Sequence, residues 1–166
     1  VAERAHASAR AVLDHVEQGL VIAGADGRLE AERSAALDQW FDVPAPGAPV
    51  WALFEQANPR FALELSLAWA QLAEGLLPRD LLLDQLPTTL EVEGCTFRLR
   101  YQPFDEAPDA PILVVVTDVT AELEAAAAKE QQQELLDVFV RMTRDKWPVL
   151  DFIEEARGIV EDITRG

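Results

Sequence analysis

Residues 88–120 decide the fold, and they read TTLEVEGCTFRLRYQPFDEAPDAPILVVVTDVT. Polar and apolar residues alternate on both sides of Gly94, which is typical of two strands joined by a tight turn. Residues 112–116 are apolar at every position, as expected of a strand that is buried on both faces. The stretch therefore predicts a hairpin and then, after a loop over 103–111, a central strand.

Charges on this predicted hairpin suggest its register. Glu91 and Glu93 lie on the first strand, and Arg98 and Arg100 lie on the second. Opposite charges across a strand pair stabilise it by about 0.2–1 kcal/mol each. We therefore expect the two glutamates to lie across from the two arginines.

The first half of the chain predicts a second hairpin followed by helices. Asp26-Gly27 favours a hairpin turn, and it separates predicted strands over 20–23 and 29–31. Together the two hairpins and the central strand give five predicted strands. Predicted helices run over 8–18, 34–41 and 50–56 and from Asn58-Pro59 to Gly75, while 81–83 is too short to classify.

Thr120 and the residues after it predict a long helix. The threonine hydroxyl is suited to accept hydrogen bonds from free amides of the first turn, and residues 121–144 are rich in good helix formers. Pro148 is expected to interrupt this helix, because proline lacks the amide and clashes with the preceding turn. A further amphipathic helix is expected over 149–163, with its apolar face at 152–163.

The apolar faces of these helices would lie in water without a partner, so we expect two chains to pair through them and through the amino-terminal helix. A coiled-coil seam drawn through Leu123 and Ala126 meets polar residues at 130 and 133, which favours a short helical bundle over a long coiled coil. The candidate dimerisation residues are Leu135, Val138, Phe139 and Met142.

Composition restricts the function classes. The 166 residues suit an extension over 1–8, one domain over 9–120 and a helical segment over 121–166. Thirty acidic against 14 basic residues give a net charge of −16, which repels phosphate backbones and anionic lipids, so neither nucleic-acid nor membrane-surface binding is expected. The longest strongly apolar run, 112–116, is far too short to cross a bilayer, so membrane insertion is not expected either. No secretion signal is visible, and the lone Cys95 fits a reducing compartment, so we expect a cytoplasmic protein.

Three local motifs, in this order, resemble the PAS sensor domain. Residues 13–22, LDHVEQGLVI, look like the opening helix and first strand of that family, with a glycine at the junction. Residues 26–29, DGRL, look like its first hairpin, and residues 118–120, DVT, are similar to the motif that ends its last strand and begins a signalling helix. Many relatives have asparagine just after the second strand, where this chain has Arg33.

The resemblance covers about residues 9–122 and implies an α+β fold, with a five-stranded antiparallel sheet and helices on one face. It also implies a regulatory piece of a bacterial signalling protein. More distantly, residues 136–156 look like the helical segment that leads into a histidine phosphotransfer module of bacterial kinases. The expected function is therefore signal reception or relay, with dimerisation, in a histidine kinase, and the expected partners are a second copy and kinase or phosphotransfer domains of the same chain. The alternative is a ligand-free structural adaptor with the same fold.

No set of residues suggests catalysis or a metal site, and we expect neither. His6 and His15 are the only histidines, so residues 121–166 offer no phosphoacceptor and residues 58–77 lack the histidine that holds haem in PAS relatives. Cys95 lies far from the short helices where light-sensing relatives form a flavin photoadduct.

Two groups of residues remain as candidate sites. The resemblance implies a small-molecule cavity between helices and sheet, although large aromatic side chains also suit a filled core. It also implies that Asp118 and Thr120 couple the last strand to the following helix, with Arg98 or Arg100 pairing with the aspartate; an ordinary helix cap is the alternative. The candidate pocket residues are Trp51, Phe54, Phe61, Trp69, Phe97 and Tyr101.

Overall fold

The computed structural model describes residues 18–164, with side chains described up to Arg144 and at Glu154 and Arg157. The predicted opening helix therefore lies outside the described residues, apart from its last position. The elements in chain order are β1 Gly19–Ala23, β2 Leu29–Arg33, α1 Ala35–Trp40, a 3₁₀ helix Val50–Leu53, α2 Pro59–Glu74, α3 Arg79–Leu83, β3 Thr89–Val92, β4 Cys95–Pro103, β5 Ile112–Asp118 and α4 Thr120–Thr164.

The fold is α+β, with an open sheet of five antiparallel strands in the order β2-β1-β5-β4-β3. Strand β5 pairs with β1 on one edge and with β4 on the other. The prediction that 112–116 forms a central strand is thus confirmed. The first strand, β1, and the last strand, β5, are therefore neighbours in the middle of the sheet.

Alternate residues of the central strands enter one hydrophobic core. Strand β1 alternates between buried and half-buried positions, and β5 continues the same alternation. The buried face packs against side chains of α1, the 3₁₀ helix and α2, including Leu37, Phe54 and Leu65. Alternate residues of a strand lie on one face of the sheet, and an amphipathic helix has one apolar face. The buried face of the sheet and the apolar faces of these helices therefore share one core.

Helix α2 begins and ends as its sequence predicts. The Asn58 side chain accepts a hydrogen bond from the amide of Phe61 at 3.0 Å, and Pro59 occupies the first turn, where its missing amide costs nothing. Gly75 ends the helix with a left-handed φ of 64°. The side-chain nitrogen of Asn58, Nδ2, also donates to the Glu91 carbonyl on β3 at 3.0 Å, so the start of α2 is tied to the sheet edge.

Ser34 fixes the passage from β2 to α1. It is fully buried, and its hydroxyl accepts from the Leu20 amide and donates to the Gln18 carbonyl, each at 2.8 Å. Its own amide donates to the Leu20 carbonyl. A polar side chain at this depth is tolerated because every hydrogen-bonding group of the hydroxyl has a partner.

The first hairpin turn requires glycine for two reasons. Gly27 has a φ of +81°, and a Cβ there would lie 2.8 Å from the Trp51 ring and 3.1 Å from the Trp69 ring. The Asp26 carboxylate accepts from the Arg28 amide and shapes the turn. The predicted Asp-Gly turn therefore also brings the backbone against two tryptophans of the core.

The charge register predicted for the second hairpin is wrong. Glu91 pairs with Thr96, and Arg98 pairs with Thr89. Glu93 lies in the turn with a φ of 48°, followed by Gly94 with a φ of 87°. A two-residue turn with both φ angles positive sets the register by its own geometry, and the weak cross-strand charge attraction does not override it.

The predicted break at Pro148 is also wrong. Helix α4 runs without interruption over 45 residues, Thr120–Thr164. A proline inside a helix removes one amide donor and crowds the carbonyl four residues earlier, but its fixed φ of about −65° is itself helical, so the residues on either side can continue the helix. The side chains of the predicted apolar face at 152–163 lie outside the described part of the helix. Residues 81–83, left unclassified above, form the end of α3.

The chain divides into two compact units, with the boundary between Thr120 and Ala121. The first contains the sheet with α1 to α3, and the second contains the rest of α4. Among the described residues, no helix has the length and apolar character needed to cross a membrane.

Replacing Glu93→Asn should stabilise the domain. Glutamate in the left-handed region is strained, whereas asparagine tolerates it and Asn-Gly is a favoured pair for such a turn, so we expect a gain of about 0.5–1 kcal/mol. The measurement is the free energy of unfolding from denaturant titration. Glu91→Asn, in the extended strand next to the turn, is the matched control and should give no gain. An unchanged or lower stability of the Glu93 variant would contradict the turn assignment.

Candidate functional site

The end of β5 and the start of α4 are separated by a single residue. Strand β5 ends at Asp118, helix α4 begins at Thr120, and Val119 between them is 3% exposed. The connection therefore contains no loop. A displacement of the strand end must strain the residues that begin the helix, because buried Val119 anchors the link in the core.

Asp118 forms the first layer of this junction. One carboxylate oxygen, Oδ1, accepts from the Thr120 amide at 2.9 Å and from the Thr120 hydroxyl at 2.6 Å. A negative charge at the start of a helix is further favoured by the helix dipole, by about 0.3–1 kcal/mol. Asp118 therefore fixes both the backbone and the side chain of the first helical residue.

Thr96 on β4 forms the second layer. Its carbonyl accepts from the Val119 amide at 2.9 Å, and its amide donates to the Thr120 hydroxyl, also at 2.9 Å. Because Phe97 pairs with Asp118, the ladder places Thr96 opposite Val119, where a regular pair would exchange two backbone bonds. The Thr120 hydroxyl replaces one carbonyl of that pair, so the sheet ladder extends by one position onto the helix.

Two expectations about this junction need correction. The Thr120 hydroxyl does not accept from first-turn amides of its own helix; it accepts from Thr96 instead, while Asp118 accepts from the helix amide. Asp118 also forms no ion pair with Arg98 or Arg100 in the described structure, where Arg98 lies opposite Thr117 and Arg100 opposite Val115. The Asp118 carboxylate instead accepts both of its hydrogen bonds from Thr120, so it has partners without an arginine.

Thr96 also connects the junction to the far side of the sheet. It pairs with Glu91 on β3, and the Glu91 carbonyl accepts the Asn58 side-chain amide at the start of α2. Paired or hydrogen-bonded residues thus run from the first turn of α2 through two strands to the first residue of α4. The sequence analysis missed Thr96, because its role depends on the β4–β5 register and a lone threonine in a strand gives no signal of its own.

Most of the six candidate pocket residues lie together in the core. Phe54, Phe61, Trp69 and Phe97 are buried, while Trp51 and Tyr101 are half-buried at its margin. The Phe54 and Phe61 rings meet edge to face at 5.3 Å, and Trp69 and Tyr101 do so at 6.2 Å. The rings therefore pack against one another as aromatic pairs prefer.

Helix α1 adds two aromatic rings to this cluster. Phe41, just after the helix, lies 5.3 Å from the Phe54 ring and 5.2 Å from the Phe97 ring, and Trp40 lies 5.3 Å from Phe97. Neither residue is among the six candidate pocket residues. These ring contacts join the end of α1 to β4 and to the residue after the 3₁₀ helix.

A cleft of about 310 Å³ lies elsewhere, between the first hairpin turn, α2, α3 and the loop before β5. None of the six aromatic candidates lines it. Arg79 closes one side and donates to the carbonyls of Ala107 and Ala110. The residues that line the cleft are Ala25, Asp26, Leu72, Ala73, Arg79, Pro108 and Asp109.

The remaining candidates occupy the surface. Arg33 donates to the Asp38 carboxylate at 2.8 Å, and Cys95 is exposed at the start of β4. The dimerisation candidates Leu135, Val138, Phe139 and Met142 are all exposed on α4. Among the described residues, no three potential metal ligands form a group.

Tyr101 combines a buried phenol hydroxyl with a single hydrogen bond. Its hydroxyl donates to the Pro87 carbonyl at 2.7 Å, and desolvation by burial raises the pKa of this hydroxyl far above its ordinary value of about 10. The neutral phenol therefore belongs to the folded state. It joins β4 to the segment that leads into β3.

Comparison with known proteins gives no family for this chain, since no protein-family model matches it and no curated protein does. The residue contacts described above therefore carry the functional inference.

Tyr101 should not ionise while the domain is folded. Its pKa is higher in the folded than in the unfolded chain, so its contribution to stability is complete below pH of about 10 and is lost as the pH rises above that value. Because the chain has a single tyrosine, tyrosinate absorbance reports this residue alone. We expect the absorbance to rise only together with unfolding, and Tyr101→Phe to weaken the alkaline loss of stability. A reversible titration near pH of about 10 with the fold intact would contradict the burial of this hydroxyl.

Proposed function

We propose that residues 9–120 form a PAS sensor domain and that residues 121–166 are its helical signalling and dimerisation segment. In this proposal the protein senses or relays a signal, without catalysis of its own, as part of a bacterial histidine kinase in the cytoplasm. The observation that carries the proposal is the set of hydrogen bonds that joins Asp118 and Thr120 to Thr96.

The junction supports a relay because its bonds cross from sheet to helix. Any change in the core that shifts β4 against β5 alters the distance between the Thr96 amide and the Thr120 hydroxyl, now 2.9 Å. Hydrogen bonds weaken steeply when they are stretched or bent, so the first turn of α4 has to follow the sheet or lose its anchor. Helix α4 can then exist in two states, and the state of the sensor domain favours one of them over the other.

The motif order supports the family. The chain carries DGRL at the first hairpin turn and DVT between β5 and α4, the places that the resemblance requires. The strand order β2-β1-β5-β4-β3, with the last strand leading into a long helix, is compatible with a PAS domain. The histidine kinase context rests on the resemblance of residues 136–156 and on the exposed apolar side chains of α4.

A ligand-free adaptor is the second candidate. The packing of Phe54 against Phe61, and of Phe41 against both Phe54 and Phe97, favours it, because rings in contact leave little room between them. Native mass spectrometry of gently purified protein separates the two functions. A small molecule retained in several preparations supports sensing, and its absence in all of them favours the adaptor.

Asp118→Ala tests the relay directly. The substitution removes the acceptor of the Thr120 amide, and we expect a loss of about 0.5–2 kcal/mol in the free energy of unfolding, as for other lost helix caps. Amide hydrogen exchange should accelerate over residues 121–130 and at Thr96. Unchanged protection at both places would contradict the coupling.

The matched control is Asp105→Ala. Asp105 makes the same kind of bond at the same spacing, to the Ala107 amide at 2.7 Å, but in the exposed loop before β5. It should leave exchange over residues 121–130 unchanged. Thr120→Val should accelerate exchange at Thr96, whereas Thr120→Ser, which keeps the hydroxyl, should not.

A further inference from the structure

The continuous helix α4 presents large apolar side chains to solvent. Leu135, Phe139 and Met142 are 67%, 65% and 62% exposed. Side chains of this size are rarely left in water in a run along one helix unless a partner covers them. Because α4 is not broken at Pro148, its apolar positions must be considered as one pattern.

One heptad pattern fits this helix from its first turn. Positions spaced alternately four and three residues apart, which we call the heptad seam, are apolar at six of seven places between 121 and 142. The seam differs from the one through Leu123 and Ala126 considered above. In the sequence the same spacing continues with Lys146 and then with apolar residues at 149, 153, 156, 160 and 163. The seam residues in the described part are Ala121, Ala125, Ala128, Gln132, Leu135, Phe139 and Met142.

The polar position in this seam indicates which partner covers it. Gln132 interrupts the apolar row at a position equivalent to the first core position of a heptad. A single polar residue there is satisfied by its own copy across a parallel two-stranded pair, and it opposes other registers and antiparallel pairing. A second copy of this chain in register therefore suits the seam better than an unrelated helix.

Charges beside the seam agree with this partner. Glu124 directly precedes one seam residue and Lys129 directly follows another, five positions further along. In a parallel pair these two positions face each other across the helices, so each Glu124 meets Lys129 of the other copy. Within one helix they are five residues apart, too far around the helix for an ordinary ion pair. Their complementarity is therefore used only when two copies pair.

We propose that residues 121–142 form a parallel, in-register, two-stranded coiled coil with the same residues of a second copy, along the heptad seam. This inference rests on the proposed dimerisation and adds its orientation, its register and its contact residues. It replaces the short helical bundle expected from the sequence.

Disulfide cross-linking tests the register. In a Cys95→Ser background, Ala128→Cys, Leu135→Cys and Met142→Cys should each cross-link to the same residue of the other copy under mild oxidation, because these positions face their own copies. Asp137→Cys, on the outer side of the helix, is the matched control and should not. An antiparallel pair could bring at most one of the three positions to its own copy, since the outer two lie about 21 Å apart along the helix.

A charge swap tests the orientation without cysteine chemistry. Lys129→Glu places like charges across the pair, and we expect the dissociation constant of the dimer to rise roughly three- to tenfold. Adding Glu124→Lys should restore it. Arg141→Glu makes the same charge change on the outer side and should leave the dissociation constant unchanged within about twofold.

The outcomes separate this inference from the proposed function. A dimer by sedimentation with no cross-link at the three seam positions, or a tetramer, would overturn the two-stranded seam and leave dimerisation in place. A monomer at tens of micromolar would overturn both the seam and the proposed dimerisation, whereas the Asp118 exchange experiment tests the sheet-to-helix relay in either case. Cross-links at all three positions with rescue by the double charge swap support the inference.

Discussion

The pairing of β5 on both edges is the constraint on which the rest of the structure depends. A strand bonded to β1 and β4 at once lies in the middle of the sheet, so its alternate valines enter the core and its backbone has no free edge. The first strand of the described chain must then lie beside the last, and the helices between them must pack on the buried face. The same pairing brings Thr96 opposite Val119, which makes the junction with α4 a continuation of the sheet ladder.

Patterns of short range predicted most of the fold. Alternation in 88–101, the run at 112–116, Asp26-Gly27 and the Asn58 cap each depend on neighbours within a few residues, and each of these elements is confirmed. The error in the register of the second hairpin arose because two local signals competed. Attraction between Glu91 and Arg98 suggested one register, but the backbone geometry of the two-residue turn at Glu93 and Gly94 decided another, since the turn constrains covalent geometry and the charges are exposed.

The junction could be predicted only in part. The sequence places Asp118 and Thr120 correctly between strand and helix, because both residue types favour helix starts. It does not reveal that the hydroxyl turns away from its own helix, since that depends on the Thr96 amide arriving from another strand. The wrong prediction at Pro148 also shows that one residue does not decide the structure around it. A rule about one residue predicted a break, whereas the residues on either side of it continue the helix.

The junction and the heptad seam lie on the same continuous helix. Ala121, the first seam residue, directly follows Thr120, so no flexible linker separates the bonded residue from the seam. Successive residues of an α-helix are turned by about 100° around its axis, and each turn is hydrogen-bonded to the turns beside it. If the seam pairs two copies as proposed, the residue that the Thr96 bond holds lies next in the chain to the first residue of that pairing.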